Sequence, residues 1–171
     1  MDTKQKEHKL RRKFTFYYQQ ISDDQTDDQW NIKKIDEFDT VEKFWKIFQH
    51  IKRPSQIETN AQIFLFAENS IPKWEDPSHK NGGRFKKGIA KIDVDQSWEN
   101  FALSFISGQK ELLDKVNGIQ IKIMQNREKC MGCVWVQDIN NVENAENDLK
   151  QWLFKCTNSK RQSTDVTFEK F

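Results

Sequence analysis

A chain of 171 residues that is 36% apolar suits one domain with one core, and its 13 Phe and 6 Trp give each buried position a large volume to fill. The 28 basic and 26 acidic residues leave a net charge of +2, so any nucleic-acid footprint has to be local. No run approaches the ~18 apolar residues of a membrane span, the N-terminal MDTKQKEHKLRRK lacks the apolar stretch of a secretory leader, and three Cys imply no disulfide framework. These features predict a cytoplasmic protein, with the nucleus as a second location and no membrane partner. They also predict a single domain over 1–171, with 1–9 as a flexible or partner-contacting arm.

In chain order, the first strand signal is the aromatic, β-prone run Phe14-Thr15-Phe16-Tyr17-Tyr18. A helix follows from about Thr40 to Ile51, with Asp39 and Thr40 as cap candidates and Glu42 placed for a capping box with Asp39. Its apolar residues Val41, Phe44, Trp45, Ile47, Phe48 and Ile51 span about 160° of the helix surface, wider than the usual core stripe of ~100°. Val41 and Trp45 share one edge of that stripe. Gln62 to Phe66 (QIFLF) is apolar on both faces and reads as a central strand. A second helix, about Ser97 to Ser107, aligns Trp98, Phe101, Ala102 and Phe105 and stops near Gly108. Ile119, Ile121 and Ile123 alternate with Gln120, Lys122 and Met124, Val134 and Val136 alternate in the same way with Cys133, Trp135 and Gln137, and the two runs read as a hairpin. A third helix, about Val142 to Cys156, aligns Ala145, Leu149, Trp152, Leu153 and Cys156. The pattern predicts an α+β domain, a curved antiparallel sheet backed by helices.

The six Trp divide by position. Trp98 and Trp152 sit at helical core spacing, whereas Trp45 fits core and partner contact equally well. Trp135 lies on the polar-facing set of its strand, opposite Val134 and Val136, and Lys122 lies on the corresponding face of the hairpin partner. Trp30 and Trp74 fall in polar, loop-like segments. Indole left outside a core usually has a purpose. Its face attracts flat or cationic rings, with stacking worth ~1–3 kcal/mol per base and a cation–π contribution of about 0.5–2 kcal/mol. A neighbouring carboxylate accepts two hydrogen bonds from a guanine edge, at N1–H and the exocyclic amine. Trp74-Glu75 therefore suits a positively charged guanine; an ordinary surface loop accounts for the same dipeptide, and both readings stay open.

FDTVEKFW (38–45), FLFAENSIPKWED (64–76), NGGRF (81–85), SWENF (97–101) and the NG of VNGIQIKI (117–118) occur in an order and spacing that resembles the eukaryotic translation initiation factor 4E family, the mRNA cap-binding proteins. The likeness covers about residues 8 to 156. It implies a curved antiparallel sheet with helices on its convex back, and as ligand the 7-methylguanosine triphosphate cap, whose methylated guanine is cationic. It implies that Trp74 is half of a stacking sandwich, that Glu75 reads the guanine edge, that Trp135 touches the N7 methyl and that Arg84 lies on the phosphate side. It further implies that Val41 and Trp45, with His8, Leu10 and Leu103, grip the Tyr-x-x-x-x-Leu-apolar helix of a 4G-like scaffold or a 4E-binding repressor. That would explain the over-wide stripe, whose Val41–Trp45 edge waits for a partner helix.

Several positions depart from the family pattern. The second sandwich residue would be Trp30, two residues nearer the first helix than usual, with Asp28 in that place if no gap is allowed. Met124 stands where the family has Arg, with Lys122 as substitute on the same strand face; Met131 stands where it has Lys, with Arg127 and Lys129 within reach. Phe14, Tyr17 and Phe85 stand where many members carry Trp, Lys9 where Pro is usual, and Glu99 where an apolar residue supports partner packing. The alternative reading is thus an assembly subunit that kept the fold and lost the ligand. Cys130-Met131-Gly132-Cys133 is only half a zinc site, Gly82-Gly83 lacks a phosphate-loop setting, and His50 and His79 read as solvated. With no nucleophile–base pair in view, the expectation is a binding protein without catalysis, metal or cofactor.

Overall fold

The computed structural model describes residues 7–21, 31–108, 114–138, 145–157 and 166–171. Seven strands form one sheet: β1 (Lys9–Gln20), β2 (Lys33–Thr40), β3 (Ala61–Ala67), β4 (Gly83–Ala90), β5 (Val116–Ile123), β6 (Lys129–Val136) and β7 (Thr167–Lys170). Their order is β2-β1-β3-β5-β6-β4-β7, and every neighbouring pair is antiparallel. Among the described residues three helices accompany them: α1 (Val41–Phe48), α2 (Val94–Ser107) and α3 (Glu146–Cys156).

Side chains alternate across a strand, so one set of residues from each strand faces one way. Phe14 and Phe16, Ile63 and Leu65, Ile119 and Ile121, and Val134 and Val136 form a single buried cluster with Phe44 and Ile47 of α1, Phe101 and Phe105 of α2, and Leu149 and Leu153 of α3. All three helices therefore back the same face, which is the convex one, and the expected α+β architecture holds. The central strand β3 is buried along its whole length, and β5 pairs with β6 as the hairpin. Trp98 is buried, and Trp152 packs on Phe101 with its indole N–H donating to the Ser104 hydroxyl at 2.6 Å.

Boundaries shift where local chemistry competes. Thr40 ends β2 and caps α1, its hydroxyl accepting from the Lys43 N–H at 3.2 Å. The capping box expected between Asp39 and Glu42 does not form. With Thr40 as cap, the residue three further on is Lys43, so Glu42 is one place too early. Asp39 instead pairs with Lys9 at 2.7 Å, and Glu42 accepts from the His8 backbone N–H at 3.0 Å. Helix α1 stops at Phe48, short of Ile51. Helix α2 starts at Val94 rather than Ser97, because a single 3₁₀ turn, Lys91–Asp93, feeds it. The expected start of the third helix, Val142, lies outside the described residues. Among the described residues no helix is long and apolar enough to cross a membrane.

Candidate functional site

Opposite the helices, the register of the sheet aligns side chains from five strands in rows. Phe66 of β3 lies beside Gly118 of β5, which lies beside Trp135 of β6, then Arg84 of β4, then Glu169 of β7. The next row runs Phe64, Gln120, Cys133, Lys86. Directly paired residues share a face and touch. Gly118 is what lets the first row close: a Cβ there would run into the Phe66 ring, and without it Phe66 reaches Trp135, with centroids 5.4 Å apart.

Trp135 lies on the expected face, but it is 1% exposed rather than solvent-facing. Phe64, Phe66, His79 and Phe171 surround its ring, Phe171 nearest at 4.7 Å with planes 42° apart. The indole N–H donates to Gln120 at 2.8 Å; the Gln120 amide donates to Gln62, and Gln62 donates to Gln19 at 2.9 Å. This file of amides crosses β6, β5, β3 and β1 and supplies partners to polar groups that would otherwise be buried unpaired. Polar Gln62 and Gln120 inside otherwise apolar strands were the available signal for it.

The loop between β3 and β4 carries Trp74 and Glu75. Lys73 to Asp76 close a turn through the Asp76 N–H and Lys73 carbonyl at 3.1 Å, which sets Trp74 and Glu75 at its two central positions. Trp74 is 51% exposed, and Glu75 is exposed with no ion pair among the described residues. Asp76 then accepts from the Ser78 N–H at 2.9 Å and starts the 3₁₀ turn Pro77–His79. His79 is fully buried, which corrects the solvated reading. Its Nε2–H donates to the Ile71 carbonyl at 2.9 Å, and its Nδ1 accepts from the Asn117 amide at 3.0 Å. Asn117 also donates to the Ser78 carbonyl at 3.0 Å. The ring is thereby held neutral, and burial lowers its pKa below the ordinary 6.5. One imidazole thus ties both ends of the Trp74–Glu75 turn to β5. His50, by contrast, is exposed.

One of the basic candidates, Arg84, lies beside Trp135. The Arg84 guanidinium lies 5.8 Å from the indole centre. Its Nε donates to Glu169 at 2.5 Å, and Lys86 reaches the same carboxylate oxygen at 3.3 Å. The Arg84 side chain holds the Glu169 carboxyl below its ordinary value. Burial lowers the pKa of Lys122, and the nearby Arg84 and Arg127 lower it further. Arg127 and Lys129 are exposed, at the turn after β5 and the start of β6. Trp30 and Asp28 lie outside the described residues. Cys130 belongs to the helix-side core and Cys133 to the opposite cluster, so the two thiols cannot share an ion. Burial pushes Cys133 and Cys156 up to about 11, leaving both protonated at neutral pH.

On the helix side, α1 buries Phe44 and Ile47 and leaves Trp45 38% exposed, with Val41 half-buried. Trp45, Phe48, Trp98 and Glu99 line part of a cavity of about 610 Å³. His8 is tied to the start of α1: its carbonyl accepts from the Val41 N–H at 2.9 Å, and its ring meets Glu42 at 2.6 Å. His8 and Lys9 of the expected arm are therefore anchored, and 1–6 lie outside the described residues. Leu10 and Leu103 pack, partly buried, against the main core.

The family model "Eukaryotic initiation factor 4E" matches residues 9–171. The chain is 30% identical over 148 residues to the rice (Oryza sativa subsp. japonica) eukaryotic translation initiation factor isoform 4E-2, a match covering 85% of this chain and 71% of that protein. It is 35% identical over 127 residues to the wheat (Triticum aestivum) eukaryotic translation initiation factor NCBP, covering 71% of this chain and 53% of the relative. Among solved structures it superimposes on C. elegans eIF4E-3 in complex with the 4E-binding protein Mextli and cap analog, with TM-score 0.83, 22% identity and coverage of 96% and 93%. Ascaris suum eIF4E-3 with the m2,2,7G cap gives TM-score 0.79, 22% identity and coverage of 96% and 92%.

Proposed function

Since the chain belongs to the eukaryotic initiation factor 4E family, we propose that it binds the 7-methylguanosine cap of mRNA and, through α1, a scaffold or repressor protein, in translation initiation or its control. The observation that carries this is the Trp74–Glu75 turn, an exposed indole and carboxylate presented together on a loop fastened by His79. Trp74 stacks the cationic guanine, with Trp30 as the second plane, and Glu75 accepts N1–H and the exocyclic amine. Trp135 contacts the methyl group, and Arg84, Lys122, Arg127 and Lys129 hold the phosphates. Val41 and Trp45, flanked by His8, Leu10 and Leu103, receive the Tyr-x-x-x-x-Leu-apolar helix. The relatives solved with cap analog and with a 4E-binding protein support both halves of this reading.

Retention on a 7-methyl-GTP resin, with elution by 7-methyl-GTP but not by GTP, is the expected result. Failure to be retained, or equal elution by both nucleotides, would count against cap recognition. A specific observation favours the rival reading, a family member that serves assembly without a ligand: Trp135 is covered and Arg84 is already engaged. Under that reading cap analogue leaves the Trp fluorescence unchanged.

A further inference from the structure

The two features that argue against a ligand share a contributor, strand β7 with the residue that follows it. Its Glu169 carboxylate sits between Arg84 and Lys86, where an anionic ligand oxygen would sit, and Arg84 is the neighbour of Trp135 in the same row. Phe171, just beyond the strand, lays a flat ring against Trp135 at 4.7 Å and against His79 at 5.8 Å, and its N–H donates to the Gly82 carbonyl at 3.2 Å. An anion and a flat ring, two residues apart, thus cover Arg84, one of the four cations of the cap-binding reading, and the indole that it requires. The approach is built in: a Cβ at Gly83 would collide with the Phe168 ring and the Glu169 carbonyl, so glycine is what admits β7 this close.

The strand is also replaceable. It is four residues long, lies at the edge of the sheet and, among the described residues, pairs with β4 alone. Short edge strands with one neighbour open at low free energy. Glu169 is 41% exposed, and partly exposed ion pairs hold weakly. A triphosphate brings several negative charges against one carboxylate. The rings from β3 on the other side of Trp135, Phe64 and Phe66, belong to a strand paired on both sides. Of the described cover, β7 is the part able to leave.

We propose that β7, through Glu169 and Phe171, is a built-in competitor for the anionic ligand of this face, and that the cap binds by displacing it. The inference rests on the cap-binding reading. It also accounts for a fold that keeps Trp74 and Glu75 presented while Trp135 and Arg84 are covered.

The test is fluorescence titration of the parent, Glu169→Gln and Phe171→Ala with 7-methyl-GTP and with inorganic tripolyphosphate, thermal midpoints confirming that each is folded. Glu169→Gln removes the competing charge and should tighten both probes, by about tenfold, with the gain shrinking at high salt. Phe171→Ala should tighten 7-methyl-GTP to a similar degree and leave tripolyphosphate unchanged, since the ring competes for the indole and not for the cations. If the parent binds 7-methyl-GTP and both variants bind it equally or more weakly, β7 is a supporting wall of the site and the proposal is overturned while cap binding stands. If no form binds 7-methyl-GTP, the cap-binding reading fails and takes the competition with it.

Discussion

Trp74 and His79 lie five residues apart and do opposite things. The indole is presented to solvent, and the imidazole is removed from it entirely. On the proposed reading the first serves only because the second holds the turn. If Trp74 stacks a base, Trp74→Ala should weaken 7-methyl-GTP binding about 5- to 150-fold, the equivalent of ~1–3 kcal/mol of stacking. Being exposed, the same change should move stability by no more than about 0.5 kcal/mol. Fluorescence titration and urea unfolding check the two halves. His79 gives a pH signature. Its folded pKa is depressed below 6.5, so the neutral form is the one the fold selects. Its contribution is complete above 6.5 and is lost as the pH falls through the lower folded value. Stability of the parent should therefore drop as the pH falls below 6.5, and His79→Gln, which cannot protonate, should flatten that drop in urea midpoints measured across the acid range.

At the scale of the element, α1 shows what a hydrophobic pattern can and cannot say. Its apolar arc predicts a helix with more greasy surface than one core contact needs. The structure buries Phe44 and Ile47 and leaves Trp45 at the rim, beside a cavity shared with Trp98 and Glu99. Period alone assigns an arc but not the depth to which the helix sinks, which depends on how Phe16 and Phe38 meet Phe44. On the proposed reading Trp45 is a partner anchor, and anchors of this kind are worth at least ~2 kcal/mol. Trp45→Ala should weaken a Tyr-x-x-x-x-Leu-apolar peptide about 30-fold or more, read by anisotropy, while 7-methyl-GTP titration stays as in the parent. The start of α1 teaches a related lesson. Asp39 and Thr40 are both good caps, and one residue of register decides whether Glu42 can close a box or is left to bind His8.

Across the whole molecule, the concave face is organised by rows that no segment contains. Gln19, Gln62, Gln120 and Trp135 come from four strands and form one hydrogen-bonded file. Removing a link leaves buried polar groups without partners. Gln120→Leu should therefore cost about 1–3 kcal/mol in urea unfolding, more than the added apolar side chain returns. It should also loosen Trp135, seen as a red shift of its emission.

Strands β1, β3, β5 and β6, the three helices, the central place of β3 and the β5–β6 hairpin were legible in the sequence, because periodicity and turn chemistry are local properties of the chain; β2, β4 and β7 were not read from it. So was Trp74-Glu75 as a presented pair, since a Pro turn and flanking acids already forbid burial nearby. The rest was decided by tertiary structure. Trp135 alternates with valines and reads as outward, yet it is covered because Gly118 admits Phe66 and β7 brings Phe171. His79 reads as solvated, yet Asn117, 38 residues away, draws it inside. The resemblance puts Arg84 on the phosphate side, yet Glu169, 85 residues on, is paired beside it. Burial and charge pairing are properties of neighbours in space. Sheet order, which sets those neighbours, follows from the packing of the whole chain.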